Sequence, residues 1–188
     1  MSAARKLMTP EEFLTWCLTQ EGRWELVAGE PVLMMAGAAL RHDRVVVNLI
    51  TALDRRLAGS PCEPHTDDIA SRMQSGNIRR PDVTIACGPF DPDALESAEP
   101  AVFFEVLSPS TQSFDFLRKP DEYRQVASLK HFVIVDPQRP RVRLFSRGPE
   151  GWTDQDIVGL DSVLPLPGVG VELPFEEIYR RITFADPA

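Results

Sequence analysis

The apolar positions along this chain change period at Gly59. Upstream, within LRHDRVVVNLITALDRRLAG, Val46, Leu49, Ile50, Leu53 and Leu57 recur at steps of three and four. That spacing places them on one face of a helix, and Gly59 is a stop signal for it. Nearer the N-terminus, Thr9 precedes Pro10, and Glu12 stands three residues after the threonine. A cap, a proline at the first helical position and an acid at the third predict another helix start, with Phe13, Trp16 and Cys17 on one face. RWELVAGEPVLMM then reads as two short strands joined at Ala28-Gly29, a hairpin. After Gly59 the pattern becomes that of short strands, expected at 62–66, 69–73, 82–87, 101–107, 130–136 and 141–146. GPFDPDALESAEP is a proline-rich acidic loop, Pro120 opens a short helix to about position 127, and LPFEEIYRRI predicts a final helix. This order predicts an α/β, or mixed α+β, domain built on a mixed sheet, with an N-terminal helix and β-hairpin.

One position violates the pattern. AVFFEVL, at 101–107, reads as a strand buried on both faces, yet Glu105 sits inside it. A buried carboxylate needs a cation, a donor or a route to water. Its counterpart is Asp82, which opens a strand directly after Pro81; proline is acceptable at a strand start, where no ladder hydrogen bond is lost. If the two strands are neighbours, the carboxylates converge, and two like charges that close repel unless something positive lies between them. Mg²⁺ or Mn²⁺ suits such a place, since a hard cation takes oxygen ligands from one or two carboxylates, water and substrate phosphate. Taken singly, Asp82 also reads as a turn residue and Glu105 as a strand end that reaches water.

Composition narrows the partners. The 188 residues suffice for one domain, 1–188, with 1–8 and 183–188 as loose ends. A formal charge of −8 argues against a protein that coats nucleic acid by bulk attraction and leaves room only for a local basic patch. Candidates for such a patch are Arg139, Arg141 and Arg143, which alternate along one strand, and Arg79, Arg80 and Arg118 beside the acids; solvated surface charge is the competing reading. Three cysteines without metal-ligand spacing predict reduced, buried thiols. No signal-like start or long apolar run is present, so no membrane contact and a cytoplasmic location are expected. His42 shares a helical face with Val46 and Leu49 and reads as a core or cap histidine, Tyr123 as a packing residue or a donor near the acids, and Ser108, Ser110 and Thr111 as caps or phosphate contacts.

A Pro-Asp before a hydrophobic strand and an acid inside a later one resemble the PD-(D/E)XK nuclease superfamily. More closely, WELVAGE, the RH at 41–42, RRPDV, EVLSPST, DFLRKPDEYRQVASLKHFVIVD and LDSVLPLPGVGVELPFEEIY resemble the bacterial Uma-two family of restriction-endonuclease-like proteins, across about 8–179. The resemblance implies a restriction-endonuclease-like core, a central mixed sheet flanked by helices, and a metal-dependent endonuclease that hydrolyses DNA. It implies that Asp82, Glu105 and the main-chain carbonyl of Val106 hold Mg²⁺ or Mn²⁺, with Glu25, His42 and Tyr123 as accessories. The superfamily lysine would fall at 107, where this chain has Leu, so the likeness assigns that role to Lys119 on the next helix. A residue before proline disfavours helical backbone, which predicts Lys119 at the helix entry. A homodimer would present two sites to a duplex. The alternatives are an inactive nuclease-fold module that binds DNA or protein, and a phosphodiesterase of small substrates.

Overall fold

The computed structural model describes residues 7–34, 39–108 and 115–184, with backbone alone for 115–118. Helix α1 (Pro10–Cys17) begins with the reciprocal cap its sequence specifies: Thr9 Oγ1 accepts from the Glu12 amide at 3.2 Å, and Glu12 Oε2 accepts from the Thr9 amide at 3.0 Å. Strands β1 (Trp24–Val27) and β2 (Glu30–Leu33) form the expected hairpin, with Ala28 at φ 50° and Gly29 at φ 81°. Two successive positive φ values match the right-handed twist of the strands, and glycine takes the second without steric cost. Helix α2 (Leu40–Leu57) buries Val45, Leu49, Leu53 and Leu57, close to the predicted stripe.

Beyond Gly59 come β3 (Glu63–Thr66), β4 (Ser71–Arg72), β5 (Ile78–Arg79), β6 (Val83–Ala86) and β7 (Pro100–Val106). Helix α3 (Asp115–Tyr123) follows, then β8 (His131–Asp136), β9 (Arg141–Gly148), β10 (Gly151–Val158), β11 (Val163–Leu166), β12 (Val171–Pro174) and α4 (Phe175–Ile178). The central sheet has the order β10-β9-β8-β7-β6-β3 and is mixed: β7 and β8 run parallel through the α3 crossover, and the other pairs are antiparallel. One face packs under α2, with Val83, Phe104, Val133 and Val142 meeting Leu49 and Leu53 in a single apolar cluster. The opposite face carries an aromatic cluster of Phe103, Tyr123, Phe132 and Phe145. A smaller sheet, β2-β1-β5-β4, closes over Phe13, Leu26 and Ile78.

Three expectations need correction, and one strand, β5, was not foreseen. Helix α3 begins at Asp115 and contains Pro120, so Lys119 lies within the helix and not at its entry. The proline removes one helix hydrogen bond, and α3 ends three residues later. The final helix shrinks to the single turn α4, because the apolar residues of VLPLPGVGVELP pair as β11 and β12. The two-residue β5 is too short to show a period. Finally, Cys62 and Cys87 form a disulfide, whereas Cys17 is free. The β3–β6 register sets Glu63 against Ala86, which brings the next pair, Cys62 and Cys87, face to face. A separation of 25 residues offers no local motif for that pairing.

Candidate active site

The register of two strands creates the site. Strands β6 and β7 pair with Val83 opposite Phe104, so Asp82, one residue before β6, lies beside Glu105 and Val106 near the end of β7. Asp82 Oδ2 accepts from the Val106 amide at 2.6 Å and stands 3.4 Å from His42 Nε2. The first turn of α2 delivers His42, whose ring also bonds the Val106 main chain. The imidazole thus faces the same carboxylate and main-chain unit to which the family resemblance assigns a metal.

Glu105 is held from the other side. Its Oε1 accepts from Lys119 Nζ at 3.2 Å and from the Tyr123 hydroxyl. Lys119 Nζ is also 3.7 Å from Glu25 Oε1, a carboxylate that β1 brings in. The two residues on α3 are four apart, hence on one face of the helix. Glu25 in turn accepts from Arg79 Nη1 at 2.8 Å and from the Arg80 amide at 3.2 Å. Arg79 Nε reaches Glu122 at 2.7 Å. Five elements therefore converge on one buried polar cluster.

Among the described residues of this cluster, Glu25, Asp82, Glu105 and Glu122 face three basic side chains, Arg79, Lys119 and His42. Burial pushes the Glu105 carboxyl up to about 7; Lys119 and the Tyr123 hydroxyl oppose the rise, while Asp82 and Glu25 reinforce it. Burial draws His42 down, but the hydrogen bond and charge of Asp82, with the Val106 main chain and Glu105, outweigh it and leave the imidazole more basic than usual. Tyr123 is driven well above the ordinary phenol range, first by burial and then by Glu105, so its hydroxyl stays protonated and donates.

Other expected site residues fall elsewhere. Arg80 bonds the main-chain oxygens of Trp24, Asp67 and Asp68, and Arg79 serves two buried acids, so neither guanidinium is directed to solvent phosphate. Arg141 and Arg143 pair with Asp156 and Asp154 on β10 at 2.8 and 2.6 Å, and Arg139 is exposed at the preceding turn. The Arg118 side chain, Ser110 and Thr111 lie outside the described residues; Ser108 lies two residues beyond the site strand. Sequence reasoning missed Glu122. Its place three residues after Lys119 and beside Tyr123 was the available signal, since all three share one end of α3.

A mixed sheet with one acid entering a strand and a second inside its neighbour, backed by a helix-borne lysine, defines a fold of restriction-endonuclease type. The chain belongs to the Uma2 family, described as "Putative restriction endonuclease", which it matches over residues 10–176. It is 28% identical over 186 residues to the uncharacterized protein slr1290 of Synechocystis sp., with 97% of each chain covered. A crystal structure from Anabaena variabilis, titled as a putative nuclease belonging to DUF820, superposes with a TM-score of 0.68 at 13% identity, covering 91% of this chain and 97% of that one. At that identity the likeness establishes the fold.

Proposed function

We propose that this protein is a metal-dependent endonuclease that hydrolyses phosphodiester bonds of DNA. One observation carries the reading: the β6–β7 register brings the Asp82 and Glu105 carboxylates together in a partly buried cluster where the described acids outnumber the basic groups, and burial, reinforced by Asp82 and Glu25 against Lys119 and Tyr123, pushes Glu105 up to about 7. A divalent cation fits that excess. Two carboxylates and the Val106 carbonyl are hard oxygen donors, the kind Mg²⁺ and Mn²⁺ take alongside water and phosphate. When bound, such a cation polarises the scissile phosphate and acidifies a bound water.

The chain's own groups do the rest. Asp82 is fixed by the Val106 amide, so its free oxygen geometry is set before any ligand arrives. Tyr123 and Lys119 both donate to one oxygen of Glu105, which orients the carboxylate. Lys119 Nζ is the positioned cation for charge that develops on phosphate oxygens, and for orienting the attacking water. His42, beside Asp82, is placed to hold a proton that the site releases. We further propose a homodimer, which would offer two such sites to a duplex.

The pairing of Arg141 and Arg143 with aspartates favours a second reading, a phosphodiesterase of small substrates, because the basic stripe is already engaged. Supercoiled plasmid and a chromogenic phosphodiester, each assayed with Mg²⁺ and with Mn²⁺, separate the two. Nicking or linearisation of plasmid supports the endonuclease; turnover of the small ester alone supports the other.

A further inference from the structure

We infer that Arg79 is a positioning residue for Lys119, a role that rests on the nuclease reading of the site. A lysine on strand β7 would be aimed by the sheet itself. A lysine carried on α3 is aimed only if that helix is registered against the sheet, and Pro120, next to it, removes a helix hydrogen bond. The structure supplies the missing register through charge. Glu122 lies three residues beyond Lys119 and accepts from Arg79 Nε at 2.7 Å and from Ser75 Oγ at 2.9 Å; Asn77 Nδ2 also donates to it. The same guanidinium reaches Glu25 through Nη1 at 2.8 Å, and Glu25 Oε1 lies 3.7 Å from Lys119 Nζ. Arg79 therefore grips α3 on one side of the lysine and the carboxylate that faces the lysine on the other.

The choice of arginine follows from this double duty. A planar guanidinium with five donors can serve two carboxylates in fixed directions, whereas an ammonium is a point charge. The Arg79 side chain is only 12% exposed and its partners Glu25 and Glu122 are 8% and 13% exposed. It is thus removed from any role as a surface phosphate contact, and its two acids hold it more basic than usual against the opposing effect of burial.

The test uses the intact protein and two variants, Arg79→Lys, which keeps the charge and loses the fork, and Glu122→Gln, which keeps the shape and loses the charge. The chain has three lysines, Lys6, Lys119 and Lys130. Acetylation with acetic anhydride, followed peptide by peptide, therefore reports Lys119 against exposed Lys130 as an internal reference. The expected result is a severalfold rise in Lys119 labelling in each variant that circular dichroism shows to be folded. In plasmid cleavage kcat falls about tenfold or more, within the cost of misplacing a catalytic group, with KM for DNA and Mn²⁺ affinity unchanged. Wild-type labelling of Lys119 in folded Glu122→Gln overturns the inference, even if kcat falls, because the loss then arises elsewhere. If the wild type cleaves no DNA, the nuclease reading fails while the labelling still decides the positioning.

Discussion

Strands β7 and β8 lie side by side and each takes a titratable group largely out of water, with opposite outcomes. His131 opens β8 and is 3% exposed; its Nδ1 faces Ser146 Oγ at 2.9 Å and its Nε2 accepts from the Gly168 amide at 3.1 Å. Each ring nitrogen has one neutral partner, so the ring is saturated without charge. Burial, helped by Lys130, draws its pKa from 6.5 to about 4. Three residues along the ladder, Glu105 is opposite Ile134. Its partners, the Lys119 ammonium and the Tyr123 hydroxyl, oppose a rise, but burial, reinforced by the nearby acids Asp82 and Glu25, lifts it from 4.5 to about 7. A buried polar group whose partners complete it neutrally pins the structure together: His131 joins β8, β9 and the turn before β12. One whose partners leave a surplus of like charge is poised to take a ligand of opposite sign.

The largest effect expected from that contrast is at the acids. Asp82→Asn and Glu105→Gln each abolish saturable Mn²⁺ binding in calorimetry and plasmid cleavage, while circular dichroism stays native. Wild-type cleavage by either variant ends the assignment of both carboxylates. The matching change at the other end, His131→Gln, leaves metal binding and cleavage as they were.

The next effect belongs to Lys119. Lys119→Ala lowers single-turnover cleavage by about 10²-fold, the scale of one positioned proton-transfer or charge-stabilising group. Mn²⁺ affinity changes little. Leu107 follows β7 on the same face as Glu105 and packs against the aromatic cluster, so adding Leu107→Lys to that variant delivers an ammonium from the sheet. Partial recovery of the rate is expected, at a stability cost of about 1–3 kcal/mol for the lost apolar burial. Full activity in Lys119→Ala removes the lysine from the mechanism. A folded double variant without recovery leaves Lys119 in place and shows that position 107 cannot reach the reacting water.

These sites were legible to different degrees for a physical reason. Asp82 and Glu105 stood out because each breaks a local pattern, an acid at a proline-led strand start and an acid inside an apolar run. The long helix, the hairpin and the cap at Thr9 were equally local and were read nearly to the residue. Glu122, the double role of Arg79 and the Cys62–Cys87 bond depend on which strands become neighbours, and no short window contains that information. The aspartates that engage Arg141 and Arg143 lie on β10, whose exposed, mixed pattern gives little warning of its pairing with β9.

A smaller effect comes from pH, where the two groups act in opposite directions over overlapping windows. For His131 the unfolded chain binds a proton that the folded one refuses between about 6.5 and 4, so stability falls as pH drops through that range. The full loss is on the order of 3 kcal/mol at about 1.4 kcal/mol per pKa unit. For Glu105 the folded chain keeps a proton that the unfolded one loses between 4.5 and about 7, so metal-free stability falls as pH rises through that range. Urea midpoints between pH 4 and pH 8 without metal separate them. Glu105→Gln leaves the acid-side loss alone, His131→Gln leaves the opposite slope alone, and Mn²⁺ relieves only the latter. Identical pH profiles for wild type and His131→Gln would refute the neutral, saturated histidine.

The smallest effect is expected on β9, where the contrast between completed and uncompleted charge applies to a surface. Arg141 and Arg143 are about half exposed and matched by Asp156 and Asp154. Exposed ion pairs are worth about 0–1 kcal/mol, so replacing Arg139, Arg141 and Arg143 together by Ser changes stability within that range. For DNA the pairs can open, since phosphate offers the same guanidinium a bidentate partner. Each phosphate contact contributes about 0.9 to the salt slope of duplex binding, so the triple variant flattens the slope by about one to three. The converse variant is the sharper probe. Asp154→Asn with Asp156→Asn frees both arginines without moving them, and tighter, more salt-sensitive DNA binding follows if this stripe meets the backbone. An unchanged slope in both variants places β9 with His131, among charges that are complete within the protein, and moves the DNA surface to the rim around Asp82 and Glu105.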